Sequence, residues 1–500
     1  MLATALVGII LGLATATPEP ARECGCLTAL DFLSGQLERN YAGFHDKVTP
    51  ETRAGYDGLV QRLREQARIT AEGADCEALL REWTGFFKDG HMQVAAQPAG
   101  GAAPPGEEDP AAIRARFASW DKVALTEEAA RKSFAEKGAA LDPIEGIWEV
   151  VPNSRYRMAI LRSPTPQRDF VAVILAADGV WWTPGQVKAT YTAAGPGRYE
   201  SRFYYRDHSE RTFTTRVDRN LLFHEKGKEK GPLLVKVYPE VPGAVDAAAY
   251  QASLNTEVRL KELDSRTLLL QLPSFAPING AAIAKAIEDN RDKLLKTPNL
   301  IIDLRGNGGG SDHTFQPLLP FLYTGPVRVG GFDLYATEDN ARLFDEMAAD
   351  PNRPEENKAS LRKTAAELRA NLGKFLTGED GTLELDTVHP NPRRVAVLVD
   401  RGCMSSCEGL VDIARQSKKV TVFGENTGGA FDYGNINVVR TPCQDYAMAY
   451  GTARKRGRQG SVDLHGMAPD VRVPEGEIFP VEWVRQSLEK EEGKPPAAQQ

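Results

Sequence analysis

The sequence predicts an α/β protein in which an N-terminal helical domain and a small β-rich domain precede a C-terminal core. Apolar residues recur at three- and four-residue steps between about 26 and 88, which is the period of helices that bury one face. Short β-rich runs separated by turn residues then fill about 141–240. From about 241 onward apolar strands alternate with amphipathic helices, which indicates βαβ units and a largely parallel sheet.

The first 17 residues have the form of a secretory signal peptide. An apolar run from Leu2 to Leu13 precedes the small residues Ala14 to Thr17, and the run is too short to span a bilayer stably. We therefore expect a periplasmic or extracellular protein with no stable membrane span after signal removal. A mis-assigned start or a short anchor is the alternative, because no Lys or Arg precedes the apolar run.

Changes in composition predict the boundaries of the remaining segments. They are an N-terminal helical domain at 18–95, a linker and helical segment at 96–140, a β-rich barrel-like domain at 141–240, a core at 241–480 with a helical insertion at about 338–376, and a disordered tail at 481–500. In the β-rich domain, Trp148, Trp181 and Trp182 either fill the core or line a ligand site.

Charge and cysteine content narrow the class of protein. Lys plus Arg total 61 against 68 for Asp plus Glu, and this net charge of −7 makes nucleic acid an unexpected partner. The cysteines form an early group and a late group, namely Cys24, Cys26 and Cys76, and Cys403, Cys407 and Cys443. In an oxidising compartment we expect one disulfide within each group, and buried free thiols are the alternative.

A strand, a short turn and a helix start surround the adjacent serines Ser405 and Ser406. The apolar run Val395 to Val399 predicts the strand, and Glu408 follows Ser405 by three residues. A serine at such a junction is exposed at the sheet edge, near the positive end of a helix, where a nucleophile would be useful. Alternatively, Ser405 only caps the helix and Glu408 completes a capping box.

A glycine-rich loop follows another buried strand, Asn299 to Leu304. Glycines at 306 and 308–310 allow backbone N–H groups to approach a bound group, as in an oxyanion hole or a phosphate cradle. The residues after the loop, Ser311-Asp312-His313, lack the Lys-Ser or Lys-Thr of a phosphate loop, and Asp312 would repel a phosphate.

Three motifs together resemble the tail-specific, or C-terminal-processing, serine protease family over roughly residues 245–475. In family order they are Asp303-Leu304-Arg305-Gly306-Asn307-Gly308-Gly309-Gly310, Ser405-Ser406-Cys407-Glu408 and Gly424-Glu425-Asn426-Thr427-Gly428-Gly429. The resemblance implies a crotonase-like ββα core with Ser405 as the nucleophile. It also implies an oxyanion hole formed by the amides of Ser406 and of one loop glycine, for which Gly309 is favoured.

The general base departs from the bacterial members of this family. Those members have a lysine directly after the final glycine of the third motif, where this chain has Ala430. The branch that contains the tricorn-protease core uses a histidine from the N-terminal helical domain, and Asp89-Gly90-His91 resembles that segment. His91 is therefore the predicted base, because the pKa of a histidine is near neutrality.

That branch also has an acidic residue before a Gly-x-x-Pro-Asp segment, and Asp463 occupies this position ahead of Gly466 to Asp470. Asp463 is expected to orient the histidine as the third member of a triad, although the family residue is Glu. His465 and His313 are the reserve bases.

The resemblance implies a secreted serine endopeptidase that acts on proteins or peptides through an acyl-enzyme and needs no metal or other cofactor. A catalytically inactive peptide- or ligand-binding protein on the same fold is one alternative, favoured by the missing lysine. Thiol chemistry at Cys403 or Cys407 is another, and it requires free thiols. The sequence does not indicate the substrate or the oligomeric state.

Overall fold

The computed structural model of the chain describes residues 25–71, 73–97, 109–151, 155–226, 229–351, 353–456 and 460–492. The predicted signal peptide at 1–17 and most of the predicted linker lie outside the described residues. None of the helices in the described part of the chain is long and apolar enough to cross a membrane.

Helices are concentrated near the N-terminus, around the core sheet and between 338 and 370. The α-helices are α1 Cys26–Asn40, α2 Phe44–Lys47, α3 Arg53–Ala67, α4 Ala74–Gly85, α5 Pro110–Arg116, α6 Glu127–Lys137, α7 Ala247–Ser253, α8 Gly280–Glu288, α9 Arg291–Lys296, α10 Asp312–Phe315, α11 Leu319–Leu322, α12 Glu338–Ala349, α13 Glu355–Ala370, α14 Ser406–Ala414 and α15 Pro480–Glu492.

Strands form several sheets, two of which are large. The strands are β1 Gln93–Ala96, β2 Gly146–Val151, β3 Arg157–Arg162, β4 Phe170–Ala176, β5 Val187–Gly195, β6 Arg198–Tyr204, β7 Glu210–Asp218, β8 Leu221–Lys226, β9 Glu229–Lys230, β10 Leu233–Tyr238, β11 Arg259–Asp264, β12 Thr267–Gln271, β13 Asn299–Asp303, β14 Val327–Val329, β15 Phe332–Tyr335, β16 Phe375–Thr377, β17 Gly381–Leu383, β18 Arg394–Val399, β19 Val420–Gly424, β20 Tyr433–Arg440, β21 Tyr446–Lys455 and β22 Val471–Arg472.

The chain divides into two compact units, and unit 1 is built from the described residues within 1–101, 333–377 and 433–454. Helices α1, α3 and α4 share a core with strand β21, because alternate residues of that strand are apolar and buried. A disulfide between Cys26 and Cys76 joins α1 to α4. Strands β1, β21, β15 and β16 form one sheet in that order, and β20 also pairs with β21.

The composition of unit 1 differs from the predicted domain boundaries. The helical insertion and the β20–β21 hairpin were expected to belong to a continuous core at 241–480, but both group with the N-terminal helices. The reason is strand pairing, since β15 and β16 flank the helix pair α12–α13 and hydrogen-bond into the sheet of β21. Such pairing between distant segments leaves no local signal in the sequence.

Unit 2 comprises the described residues within 102–332, 378–432 and 455–500 and contains the predicted β-rich domain. Strands β2 to β8 form an antiparallel meander, and β10 pairs with both β2 and β8, which closes the sheet into a barrel. Trp148 is fully buried in the barrel interior and Trp182 is fully buried as well, so these two rings belong to the core.

The core sheet of unit 2 has the strand order β11-β12-β13-β18-β19-β22. Only the β11–β12 pair is antiparallel, and the remaining pairs are parallel, as the alternation of strands and helices predicted. Alternate strand residues face a core formed with α8, α10 and α14, and the others face α15. The predicted α/β class is confirmed by this sheet with helices on both faces.

The tail predicted to be disordered from 481 begins with a helix instead. Val481, Val484 and Leu488 of α15 are buried on the core sheet, beside Ile301 and Ala396. Their three- and four-residue spacing is that of an amphipathic helix, which the charged residues between them obscure in the sequence. Residues 493–500 lie outside the described part of the chain.

Candidate active site

Three loops leave the carboxyl ends of the neighbouring strands β13, β18 and β19 at one edge of the core sheet. Ligands of parallel sheets bind at this edge. The side chain of Asp400, directly after β18, accepts hydrogen bonds from the amides of Gly306 and Gly402, both at 2.8 Å. One carboxylate oxygen therefore holds the first two loops together.

Ser405 lies between β18 and α14 in a conformation that L-residues rarely adopt. Its φ is 57° and its ψ is −124°, and it is the N-cap residue of α14. A non-glycine residue in such a region costs about 1–3 kcal/mol and persists only where its surroundings hold it. Its amide donates to the carbonyl of Ala430 at 3.1 Å, so the third loop contributes to that support.

The carboxylate of Glu408 is the hub of these contacts. It is fully buried and accepts hydrogen bonds from the Ser405 amide at 3.1 Å and the Ala430 amide at 2.8 Å. Its other oxygen accepts from the Thr427 hydroxyl at 2.5 Å and the Gly429 amide at 2.9 Å. Four donors compensate for the loss of water around a buried charge. Glu408 thereby fixes the serine turn to the Gly424–Gly429 turn.

The helix-cap alternative for Ser405 is present in the structure only in part. The Ser405 side chain faces the amide of Glu408 and the Glu408 side chain binds the Ser405 amide, which is a capping-box arrangement. No side-chain hydrogen bond of ordinary geometry caps α14 within the described residues, however. The hydroxyl is thus not committed to the helix by a well-formed bond.

Gly309 lies directly against the serine turn. A Cβ at this position would come within 2.7 Å of the Ser405 Cβ and 2.9 Å of the Ser406 nitrogen, so only glycine leaves that space open. The Ser406 amide is at the start of α14, where amides have no carbonyl partner within the helix. The backbone at Gly309 therefore lies close to both Ser405 and the Ser406 amide.

The amide of Gly309 has a partner in the structure. It donates to the side-chain oxygen of Asn307 at 2.9 Å, while the Asn307 side chain donates to the carbonyl of Leu272. The Ser406 hydroxyl donates to the carbonyl of Gly310 at 3.1 Å and so joins the two loops. The sequence identified this loop as an oxyanion donor but did not predict that Asn307 would engage the Gly309 amide.

Asp463 is buried and forms hydrogen bonds with the backbone that follows the third loop. Its Oδ1 accepts from the amides of Phe431 at 3.4 Å and Asp432 at 3.2 Å. In return the Asp432 carboxylate accepts from the amides of Val462 and Asp463. These reciprocal contacts fix Asp463 to Phe431 and Asp432. Phe431 directly follows Ala430, whose carbonyl accepts from the Ser405 amide.

His91 belongs to unit 1, where it follows α4. The buried Asp89 accepts from the His91 amide at 2.8 Å and from the Tyr41 hydroxyl at 2.9 Å. Burial raises the pKa of the Asp89 carboxyl. The assignment of His91 as the general base stays a prediction, because Ser405 belongs to unit 2.

The remaining positions considered for the base are Ala430, His313 and His465. Ala430, which replaces the family lysine, is fully buried and has no basic group, while the reserve bases His313 and His465 are both exposed.

A disulfide between Cys403 and Cys407 brackets Ser405, and both sulfurs are fully buried. Cys443 is also disulfide-bonded, and none of the cysteines in the described part of the chain is free. A disulfide within each cysteine group was predicted and is confirmed by these pairs. Thiol chemistry at Cys403 or Cys407 is excluded in this state.

Residues 266–473 match the model of peptidase family S41. The range contains the three loops, Ser405 and Asp463, whereas His91 lies outside it. No curated protein matches the chain. In the described residues no group of three or more His, Cys, Asp or Glu side chains could hold a metal ion.

Several solved structures are similar to the chain at low identity. Mature CPAF in complex with lactacystin is 13% identical over 93% of this chain and 98% of that chain, with a TM-score of 0.48. A peptidase structure from Parabacteroides merdae is 12% identical over 96% of this chain and 100% of that chain, with a TM-score of 0.43. The photosystem II D1 C-terminal processing protease is 13% identical over 90% of this chain and 93% of that chain, with a TM-score of 0.34.

The family predicted from the three motifs is confirmed by the family model, which spans all of them. Over residues 266–473 this chain is thus similar to peptidase family S41.

Proposed function

We propose that the chain is an exported serine endopeptidase with Ser405 as its nucleophile. The observation that carries this proposal is the conformation of Ser405, which has a φ of 57° at the start of α14 on the carboxyl edge of a parallel sheet. A strained strand-to-helix turn of this kind exposes a serine hydroxyl next to helix amides. A serine that served only as a helix cap would not require it.

The oxyanion of the tetrahedral intermediate would bind beside Ser405, where Gly309 approaches the Ser406 amide. The Ser406 amide is the first donor, since the glycine at 309 leaves space in front of it. The Gly309 amide is the second, and it must exchange its Asn307 partner for the oxyanion. Loss of one such donor typically lowers turnover about a hundred- to a thousandfold.

His91 is the proposed base. The lysine position of the family holds the buried Ala430, so the proton acceptor has to come from another segment. Asp89 binds the His91 amide and thereby fixes the backbone of that residue. Asp463, fixed by the amides at 431 and 432, is the proposed orienting carboxylate.

The reaction would follow the acyl-enzyme route. His91 takes the Ser405 proton as Oγ attacks the carbonyl carbon, and it returns that proton to the leaving amine when the C–N bond breaks. Water then attacks the ester, with His91 again taking the proton, and Ser405 is regenerated. Substrates would be unstructured proteins or peptides, and the predicted signal and the disulfides support action in the periplasm or outside the cell.

A fluorophosphonate probe tests this proposal. The probe should label wild type on Ser405, as mapped by mass spectrometry, and wild type should hydrolyse casein. Ser405→Ala should abolish both readouts and His91→Ala should reduce both strongly. His465→Ala is the matched control, because it removes an exposed histidine of unit 2 and should leave both unchanged.

Folded wild type that is neither labelled nor active would contradict the proposal. It would favour a peptide-binding protein, which the missing lysine and the occupied Gly309 amide would then explain. Label that persists in His91→Ala but disappears in His465→Ala would move the base to His465.

A further inference from the structure

We propose that the Cys403–Cys407 disulfide is a redox-dependent positioning device, and that Ser405 reaches its reactive geometry only when this bridge is closed. This inference rests on the proposed function of Ser405. It concerns the regulation of the same site, which the three motifs leave undetermined.

The bridge encloses the reacting groups. Cys403 is in the turn after β18 and Cys407 is the second residue of α14, so the ring contains Met404, Ser405 and Ser406. The proposed nucleophile and the proposed oxyanion amide are therefore within one small covalent ring. If the disulfide were open, only hydrogen bonds would hold Ser405 and Ser406 in this turn.

The ring is also the point where the other two loops attach. The amide of Gly428 donates to the Cys403 carbonyl at 2.7 Å, and the amide of Met404 donates to the Asn307 carbonyl at 3.0 Å. A shift of Cys403 or Met404 would therefore move the serine turn relative to both glycine-rich loops. The Cys403–Cys407 disulfide is the covalent bond that restrains the part of the serine turn to which both loops are hydrogen-bonded.

Opening the bridge would release the strained conformation of Ser405. A φ of 57° is unfavourable for a serine, so the turn relaxes unless its ends are held. Closure of a ring with three intervening residues limits the distance between its ends and thereby restricts φ and ψ within it. A displacement of about 1 Å at a reacting group can lower the rate about a hundredfold.

The redox step is an ordinary dithiol–disulfide exchange. A thiolate of a dithiol reductant attacks one sulfur of the bridge, and the Cys403–Cys407 bond breaks to give a mixed disulfide and a cysteine thiolate. The second thiol of the reductant then displaces the other cysteine. Two electrons and two protons pass to Cys403 and Cys407, and the reductant becomes a disulfide. Oxidation by a protein or small-molecule disulfide reverses these steps.

Burial of both sulfurs makes the exchange dependent on opening of the serine turn. A folded, oxidised enzyme would thus resist reduction, whereas a chain synthesised in a reducing compartment would have an open bridge and a poorly placed Ser405. Proteolytic activity would in this way begin only after transfer to an oxidising compartment.

The test compares Cys403→Ala/Cys407→Ala with Cys26→Ala/Cys76→Ala, which removes the Cys26–Cys76 disulfide in unit 1. Casein hydrolysis gives kcat and KM, fluorophosphonate labelling gives the reactivity of Ser405, and thermal unfolding shows that each variant is folded. For the first variant we expect kcat and the labelling rate to fall at least about tenfold with little change in KM, because the serine is displaced while the substrate-binding surface remains. The control should keep kcat at temperatures below its unfolding transition.

Wild type supplies the second measurement. After incubation with dithiothreitol and alkylation, the fraction of enzyme alkylated at Cys403 and Cys407 should match the fraction of activity lost, and oxidised glutathione should restore both. Unchanged kcat in the folded Cys403→Ala/Cys407→Ala variant would overturn the inference, and so would failure of only that variant to fold. Wild type without activity or label would instead refute the proposed function, and this inference with it.

Discussion

The amide of Ser405 and the carboxylate of Glu408 are joined by a hydrogen bond of 3.1 Å, and the same carboxylate binds Thr427, Gly429 and Ala430. A glutamate that looks like a helix cap in the sequence thus connects the serine turn to the third loop.

Glu408→Gln should destabilise the protein and lower kcat. A carboxamide has one acceptor oxygen, so its NH₂ group would face two of the four donors and leave them without acceptors. Each buried donor without a partner costs about 1–3 kcal/mol, and we expect the free energy of unfolding to fall by at least about 2 kcal/mol. Urea unfolding and casein hydrolysis measure the two effects. Glu425→Gln changes an exposed carboxylate of the same turn and should have neither effect.

Gly309→Ala should abolish most activity. The added methyl group would lie 2.6 Å from the Met404 carbonyl oxygen and 2.7 Å from the Ser405 Cβ, and the φ of 92° would be strained for alanine. We expect kcat to fall at least about a hundredfold, as for loss of an oxyanion donor. Gly308→Ala is the matched control, because nothing lies within 4 Å of its added Cβ. Equal activity of the two variants would remove Gly309 from the site.

Asp463→Asn should separate orientation from stability. The asparagine oxygen can still accept from the amides at 431 and 432, so the unfolding transition should change little. Loss of the carboxylate should lower kcat/KM at least about a hundredfold, as in triads whose third member is neutralised. Asp432→Asn, which neutralises the neighbouring carboxylate, should not lower kcat/KM to this extent.

The β-barrel should lose stability on acidification through His224. Burial lowers the pKa of His224 to about 4 from an ordinary value near 6.5. The unfolded chain then binds the proton more tightly, so the contribution to stability is complete above pH 6.5 and is lost as the pH falls toward 4. The difference amounts to about 3 kcal/mol. Hydrogen exchange of β5 to β8 at several pH values measures it.

His224→Gln is the variant for this experiment. It should be less stable than wild type at pH 7, because His224 Nδ1 bonds the Pro232 carbonyl at 2.7 Å. The difference between the two proteins should nevertheless shrink by about 3 kcal/mol between pH 7 and pH 4. A constant difference would show that His224 is not the titrating group.

Leu488→Ala should destabilise unit 2 although it is near the C-terminus. Leu488 is 2% exposed on the core sheet, and removal of a buried leucine side chain costs about 2–5 kcal/mol. Lys490→Ala, which truncates an exposed residue of the same helix, should be neutral. Urea unfolding of both variants is the measurement, and equal midpoints would mean that α15 does not pack on the sheet.

Local patterns in the sequence were sufficient for the strands β13 and β18, the glycine loop after β13 and the serine at the start of α14. Each of these rests on neighbouring residues, whose periodicity and turn chemistry can be interpreted directly. The hub role of Glu408 was not accessible in this way, because its partners at 427–430 approach only after β18 and β19 pair. The partner of the Gly309 amide was missed for a different reason, since Asn307 was taken only as part of a motif.

The same distinction applies to the domains. Residues 433–454 form the β20–β21 hairpin, and no local pattern in the sequence indicates which sheet this hairpin joins. The helix α15 was missed because its apolar residues are few, and their burial depends on a sheet formed by residues far away in the chain.

The parts of the unit 1 core are synthesised at widely separated times, because three separated segments of the chain form this unit. The N-terminal helices that precede His91 emerge first from the ribosome, but Tyr446, Met448 and Tyr450, which complete their core, emerge about 350 residues later. Contacts over such separations form late and slowly. The N-terminal helices must therefore wait for nearly the whole chain, and a nascent chain shorter than about 450 residues would contain Ser405 without the finished unit that holds His91.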